Sequence, residues 1–379
     1  MRVALDMTSM PPARTGVGNY QLNLVRALAR IDRETEYVVF AKSEHVPHFA
    51  VAQANVRFEA TPFRNRVGRI AWQMLALGPR TRALGADVLH CTHYEMPYFV
   101  GTPTVVTFHD MTLVDRPELH QRTKRHYFPV MMRRSVRRAV RILTVSESTR
   151  QDVLQRYALP PERVVTVRLA AGDDFRPLDA GEIASVCRRY DLTPDRYVLY
   201  VGVLEPRKNV PMLIEAFGAV AKRHPTVQLA IAGQRGWMYE QIFAQVTRSG
   251  LEERVRFLGR VSDEELPALY SGARVFGYPS LHEGFGLPVL EAMKCGAPVI
   301  TTRISSMPEV AGDAAAYVDP GDVPALADTL HRILGDDALA RRMRERSLAV
   351  SAGFSWEQCA HETLSVYRAV AEQGDGAAR

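Results

Sequence analysis

The stretch Pro279–Thr302, PSLHEGFGLPVLEAMKCGAPVITT, leaves this chain few folds to choose from. Ser280 to Leu287 sets three polar or acidic side chains and two glycines ahead of an apolar run, and Pro288 fits the first position of a helix, where its missing N–H is no loss. Gly296 stands where a left-handed residue ends a helix, Pro298 bars continuation, and Val299 to Thr301 reads as a short buried strand. The order is loop, helix, strand. Glu283 precedes the helix, and Glu291, eight residues on, is read in its first turn. Between them Gly284-Phe285-Gly286-Leu287 lets backbone N–H groups approach a ligand, while the helix start behind supplies partial positive charge, an arrangement that suits a phosphate. Carboxylates flanking an anion site suit hydroxyls.

Phosphate on backbone and hydroxyls on carboxylates together describe a nucleotide sugar. The run E-G-F-G-L-P-V-L-E, with A-M-x-C-G-x-P-V-I behind it, resembles the E-x7-E signature of the retaining glycosyltransferases of family 4, and the resemblance extends over almost the whole chain. It implies the GT-B fold, an α/β architecture of two Rossmann-like doubly wound domains facing across a deep cleft. It also implies transfer of a hexose, with mannose from GDP-mannose as the best match, because an E-P-R-K-N loop beside H-E-G-F-G-L-P is common in bacterial surface-polysaccharide assembly. Glu283 is then expected to hold sugar hydroxyls.

At 379 residues the chain exceeds one ordinary core, so two domains are expected. With 46% hydrophobic and 24% charged residues it has a globular composition, and no run nears the roughly 20 apolar residues that span a bilayer. MRVALDMTSMPP reads as a first strand rather than a signal peptide, and Cys91, Cys187, Cys295 and Cys359 form no C-x-x-C pair. A cytoplasmic protein with reduced thiols is the expectation. The net charge of +6 favours an anionic partner.

Arg2 to Ser9 is a strand, and Thr15-Gly16-Val17-Gly18-Asn19 reads as a glycine loop leading into a helix with Leu22, Val25, Leu28 and Ala29 on one face. In the family such a loop reaches the donor diphosphate, which makes Gly16 and Gly18 candidates. Further strands are expected at Tyr37–Ala41 and Val56–Glu59, and a single helix from Arg69 to Leu84. His90, closing the strand Asp87-Val88-Leu89-His90, fits a hydrogen-bonded core histidine. His109 follows the apolar run Thr104–Phe108, where side chains beyond a parallel strand's end meet ligands, and the resemblance places it against the transferred sugar. Ile142–Val145 is another strand, Ser148-x-x-Gln151 reads as a capping box, and Val164–Arg168 closes the first sheet. The Gly-, Asp- and Pro-rich segment that follows sets the boundary near Gly172; the resemblance implies that residues 1–172, rejoined by a last helix from about 356 to 379, bind acceptor and that 173–355 bind the nucleotide sugar.

In the second half Tyr197–Val203 is a strand ending at Leu204-Glu205-Pro206-Arg207-Lys208-Asn209. Two adjacent cations there suit a diphosphate that gains charge as the glycosidic bond breaks. The family pattern is G-R-L-x-x-x-K; Val203 holds the first cation's place, Lys208 matches the second, and Arg207 is taken to substitute for the first. The loop around Val261 is expected near the nucleotide base, and Ser305-Ser306-Met307-Pro308-Glu309 resembles a segment that packs on the donor site.

No D-x-D, P-loop, H-E-x-x-H or G-x-S-x-G occurs, so no metal is expected, nor any cofactor beyond the nucleotide-sugar co-substrate. The acceptor is expected to be a glycan or a polyprenyl-diphosphate-linked oligosaccharide. The alternatives are the same fold with a UDP- or ADP-sugar donor, or a nucleotide-sugar epimerase; a nucleic-acid-binding protein lacks stacking aromatics among its basic residues. Finally, seven arginines and one lysine between Arg122 and Arg141 alternate with Tyr127, Phe128, Val130, Met131 and Val140. Such a stretch fits peripheral contact with anionic lipid at the inner face of the plasma membrane.

Overall fold

The computed structural model describes residues 1–11, 16–61, 63 and 65–377, with backbone alone for 374–377. Two compact units share the chain: Met1–Ala170 with Ser355–Arg379, and Ala171–Phe354.

The first unit holds strands β1 (Arg2–Asp6), β2 (Glu36–Ala41), β3 (Val56–Ala60), β4 (Val88–Cys91), β5 (Thr104–Phe108), β6 (Arg141–Thr144) and β7 (Val164–Thr166). They form one parallel sheet in the order β3-β2-β1-β4-β5-β6-β7. Val3, Ala4 and Leu5 are wholly buried, as a strand covered on both faces requires. The strand order reverses between β1 and β4, so the loops after these strands flank the place where doubly wound sheets bind ligands.

Several local expectations change. The first helix spans Gly16–Ile31, so Gly16 and Gly18 sit in its first turn and not in a loop; Gly18 has no left-handed backbone and has ordinary room for a Cβ against Pro11. The Thr15 end of that expected loop lies outside the described residues. The single helix expected from Arg69 to Leu84 is two, Arg66–Leu75 and Leu77–Ala83. Pro79 explains the break, because it cannot donate to the Leu75 carbonyl and its ring crowds that oxygen. The cap after β6 is Ser146, whose hydroxyl accepts from Thr149 N at 3.1 Å, and Ser148 lies within the helix Glu147–Tyr157.

The last helix, Trp356–Ala377, belongs to the first unit and packs back onto it, against Gly16–Ile31. Its buried residues Trp356, Cys359, Ala360, Thr363, Leu364, Tyr367 and Val370 follow the helical repeat and form one stripe. Tyr367 Oη meets His90 Nδ1 at 2.5 Å, and Thr107 Oγ1 holds the other ring nitrogen at 2.7 Å. Burial, then the nearby His109, lowers the His90 pKa to about 3, so the ring is a neutral bridge within the core.

The basic stretch forms the helix Arg122–Arg138. Phe128, Met131, Met132 and Val136 face the core, so its apolar side is already covered. Arg134 donates to the carbonyls of Met96 and Pro97 at 2.7 and 2.6 Å, Arg138 to that of Tyr98 at 2.8 Å, and Arg125 to those of His120 and Glu118. The exposed residues along this helix are Arg122, Thr123, His126, Val130, Arg133, Arg137 and Arg138.

The second unit contains β8 (Tyr197–Val201), β9 (Gln228–Ala232), β10 (Val255–Gly259), β11 (Val275–Tyr278), β12 (Val299–Thr302) and β13 (Ala315–Val318), all parallel, in the order β10-β9-β8-β11-β12-β13. Its first helix, Ala180–Arg189, was not foreseen, although Asp179 and Glu182 form a reciprocal capping box that the sequence carries in plain view. Here the order reverses between β8 and β11. The loops leaving those two strands carry Arg207, Lys208 and Glu283.

Candidate functional site

Three loops at the carboxyl ends of β8, β11 and β12 are tied together before any side-chain chemistry begins. Leu281 N donates to Arg207 O at 2.8 Å, Thr302 Oγ1 to Ser280 O at 2.7 Å, and Ser306 Oγ to the carbonyls of Glu283 and Phe285 at 3.0 and 2.9 Å. Ser305 Oγ accepts from Glu283 N at 2.9 Å. Gly286 then starts the helix Leu287–Lys294 in a left-handed conformation, φ +97°, and a Cβ there would lie 2.1 Å from Met307 Cε. Only glycine fits. Pro288 is the second helical residue and not the first, and Glu291 is the fifth, one residue deeper than expected and just beyond the first turn.

Glu283 stands at the centre of a buried polar cluster. Its Oε1 accepts from Lys208 Nζ at 2.6 Å, Ser280 Oγ at 2.6 Å and Tyr278 Oη at 3.0 Å, and its Oε2 accepts from Arg207 Nη1 at 3.1 Å. Lys208 Nζ also donates to Tyr278 Oη at 2.8 Å. Burial opposes the charge on Glu283, but Lys208 and Arg207 outweigh it and hold the pKa at about 2. Arg207 further donates through Nε and Nη2 to Glu205 Oε1 at 3.2 and 3.0 Å and through Nη1 to His282 O at 3.0 Å. The two cations were expected to await a diphosphate; both are instead paired with Glu283, and Glu205, Arg207, Lys208 and Glu283 together sum to no net charge. A cation pair this deep needs carboxylates when no other anion is present.

Glu291 accepts from Tyr270 Oη at 3.2 Å, and burial raises its pKa to about 7. Gly284, Phe285 and Leu287 are buried along with it. Val261 is buried after β10, the edge strand two places from β8. Gly233, at the end of β9, has φ +152° and passes so near Gly202 that a Cβ would meet its carbonyl oxygen at 1.8 Å.

In the first unit His109 follows β5 and donates from Nε2 to Thr92 O at 2.8 Å, which leaves Nδ1 as the acceptor of a neutral ring. Burial lowers its pKa, and Tyr20 packs edge-on at 5.1 Å. Gly16 and Gly18 begin the helix that carries Tyr20. A polar chain at the β1 end was not foreseen: Gln73 Nε2 donates to Asp6 Oδ2 at 2.7 Å, Arg69 Nη1 to Gln73 Oε1 at 2.7 Å, and Arg69 Nη1 lies 3.5 Å from Glu95 Oε2. These residues are scattered along the sequence and share no motif. Tyr278, Ser280 and Glu205 were also missed as partners, although each lies within five residues of a named candidate. Among the described residues no group of three or more His, Cys, Asp or Glu side chains is placed to share a metal ion.

Residues 14–170 match the family described as Glycosyltransferase Family 4, and residues 190–349 match Glycosyl transferases group 1. The chain is 34% identical to O-antigen chain mannosyltransferase B of Escherichia coli over 93% of its own length and 96% of that protein's. Among solved structures, sucrose-phosphate synthase from Thermosynechococcus elongatus superposes with a TM-score of 0.77 at 22% identity, covering 97% of this chain and 98% of that one. Anabaena HepE in complex with UDP and glucose gives 0.77 at 18% identity, with 97% and 100% covered. With these matches over nearly its whole length, the chain belongs to glycosyltransferase family 4, as a GT-B enzyme.

Proposed function

We propose that this glycosyltransferase moves a mannosyl residue from GDP-mannose to a hydroxyl of a glycan or polyprenyl-diphosphate-linked oligosaccharide, with retention at the anomeric carbon. The observation that carries the chemistry is the Lys208–Glu283–Arg207 cluster at the point where the second sheet reverses. A donor diphosphate offers the two cations a second anion, and charge that builds on it as the glycosidic bond breaks is met by groups already in place. Glu283, released in part from those cations, turns its carboxylate to sugar hydroxyls, and Glu291 takes hydroxyls of the ribose. Gly284, Phe285, Gly286 and Leu287 supply backbone to the phosphates, and Val261 lies toward the base. The roles of His109 toward the sugar and of Gly16 and Gly18 toward the diphosphate rest on the family resemblance. Mannose is favoured by the likeness to the O-antigen enzyme. No metal is required in this reading, so a chelator leaves turnover unchanged.

A panel of nucleotide sugars screened by thermal shift and then by turnover tests the proposal, since a ligand that binds the native state alone raises its apparent stability. GDP-mannose is expected to give the largest shift and to donate its sugar. A larger shift and faster transfer with a UDP- or ADP-sugar would overturn the donor, and conversion of the donor to an epimer without acceptor would overturn the reaction.

We also propose peripheral contact with anionic lipid, at a face beside the basic helix. No helix among the described residues is long and apolar enough to cross a membrane. Leu75, Tyr98 and Phe99 are exposed, the last by 65%. A groove of about 730 Å³ between residues 78–83 and 98–101 has Arg82 and Arg138 in its lining and no acidic residue. Aromatic side chains beside arginines suit the headgroup layer of a bilayer.

A further inference from the structure

We infer that Glu205 is a positioning residue that makes Arg207 usable as the second cation of the site, an inference that rests on the glycosyl-transfer reading. Arg207 and Lys208 are neighbours in a 3-10 turn, Pro206–Lys208, that opens at an extended Glu205 and closes at a left-handed Asn209. With about three residues per turn, successive side chains leave such a turn roughly 120° apart. Yet both reach one carboxylate, Lys208 at Glu283 Oε1 and Arg207 at Oε2. Lys208 arrives directly, and Arg207 has to be turned back.

Glu205 does the turning. One of its oxygens accepts from both Nε and Nη2, which fixes the plane and direction of the guanidinium. Held in that direction, Nη1 donates to Glu283 Oε2 and His282 O. Glu283 Oε1 is meanwhile held by Lys208, Tyr278 and Ser280, so the arginine's reach to Oε2 depends on the Glu205 contact. Position 203, where the family pattern has an arginine, is valine here, and a cation from position 207 needs a partner that sets its direction. Glu205 is that partner, and it acts through Arg207 without touching the reacting atoms.

The test is a double-mutant cycle read on the nucleotide sugar that the wild type turns over. Glu205→Ala is expected to lower kcat by about 10- to 100-fold while the donor KM changes less, the pattern of a misplaced catalytic group. Glu205→Gln, which keeps the shape and one acceptor, is expected to fall between, and serves for the whole comparison should Glu205→Ala fold poorly. The acidic limb of the pH–rate profile moves upward in both, because Arg207 no longer helps to hold Glu283 ionised. In an Arg207→Gln background, Glu205→Ala adds nothing. Unchanged kcat and acidic limb in Glu205→Ala, or an equal fold-loss in the Arg207→Gln background, overturns the inference. If the wild type transfers no sugar, it is the transfer reading that fails. The coupling is then read from acid unfolding: an Arg207-dependent rise of the midpoint pH in Glu205→Ala supports it, and a midpoint equal to that of the wild type overturns it.

Discussion

Lys208 Nζ and Glu283 Oε1 lie 2.6 Å apart, with side chains only 10% and 8% exposed. A pair so withdrawn from water is expensive to break unless another anion takes the carboxylate's place. Breaking such a pair by removing one member costs about 3–5 kcal/mol. Glu283→Ala is therefore expected to unfold at markedly lower temperature than the wild type and to lose most turnover. Pyrophosphate or GDP, by supplying the missing anion to Lys208 and Arg207, should restore more of its melting temperature than the same ligand adds to the wild type. Equal shifts in the two proteins would show that the cations do not receive the diphosphate.

The same cluster fixes an acid limit. Glu283 titrates at about 2 in the fold, below its ordinary value near 4.5, so its contribution is present above about pH 4.5 and is lost as pH falls toward 2. A depression of this size is worth about 3 kcal/mol. Acid titration of stability should show the wild type declining through this window, while Glu283→Gln, starting lower, declines less. Parallel curves would remove Glu283 from the account.

Glu291 works in the opposite sense. Its pKa of about 7 lies above the unfolded value, so the unfolded chain holds fewer protons there between about pH 4.5 and 7, and stability falls as pH rises through that range. Glu291→Gln should flatten this part of the profile and leave the protein more stable above pH 7. If ribose hydroxyls bind the ionised carboxylate, nucleotide binding near pH 6.5 releases a fraction of a proton. Calorimetry in buffers of different ionisation enthalpy measures it, and buffer-independent heats would separate Glu291 from the ribose.

Tyr367→Phe keeps the ring in the first unit's core but leaves His90 Nδ1 without its partner. An unsatisfied buried group costs about 1–3 kcal/mol, so denaturant unfolding should move by that amount while turnover per folded molecule stays unchanged. A loss of kcat without a loss of stability would mean that His90 belongs to the chemistry.

For the lipid contact, co-sedimentation with anionic vesicles at low salt should be weakened by Phe99→Ser and by Arg82→Gln with Arg138→Gln, and abolished by high salt. Binding unaffected by all three substitutions would exclude this face.

What the sequence disclosed follows from contiguity. Glu283, Gly284, Gly286 and Glu291 share one short run, and Arg207 and Lys208 are neighbours, so the site's charged groups could be named from residue type and spacing alone. What was hidden depends on sheet register. Tyr278 pairs with Thr301 across β11 and β12, which brings Ser305 and Ser306 back onto the Glu283 loop; the resemblance places that segment on the donor site, but which serine bonds which backbone group is set by the register. The pairing of both cations with Glu283 was hidden for a further reason: the sequence shows charges, and only the fold shows which of them neutralise each other. Pro79 was legible in principle, but the strong apolar repeat around it outweighed a break signal that acts four residues upstream.

The discontinuity of the first unit carries a consequence for synthesis on the ribosome. Its sheet is complete by Ala170, yet the helix that covers Gly16–Ile31 and seals His90 begins only at Trp356. At about 5–20 residues per second, the intervening chain takes roughly 10–40 s to emerge. During that interval the second unit, being continuous, can finish folding while its predecessor waits with an apolar flank uncovered. Nascent chains stalled before Trp356 should therefore attract chaperones to the first unit, although it was made first.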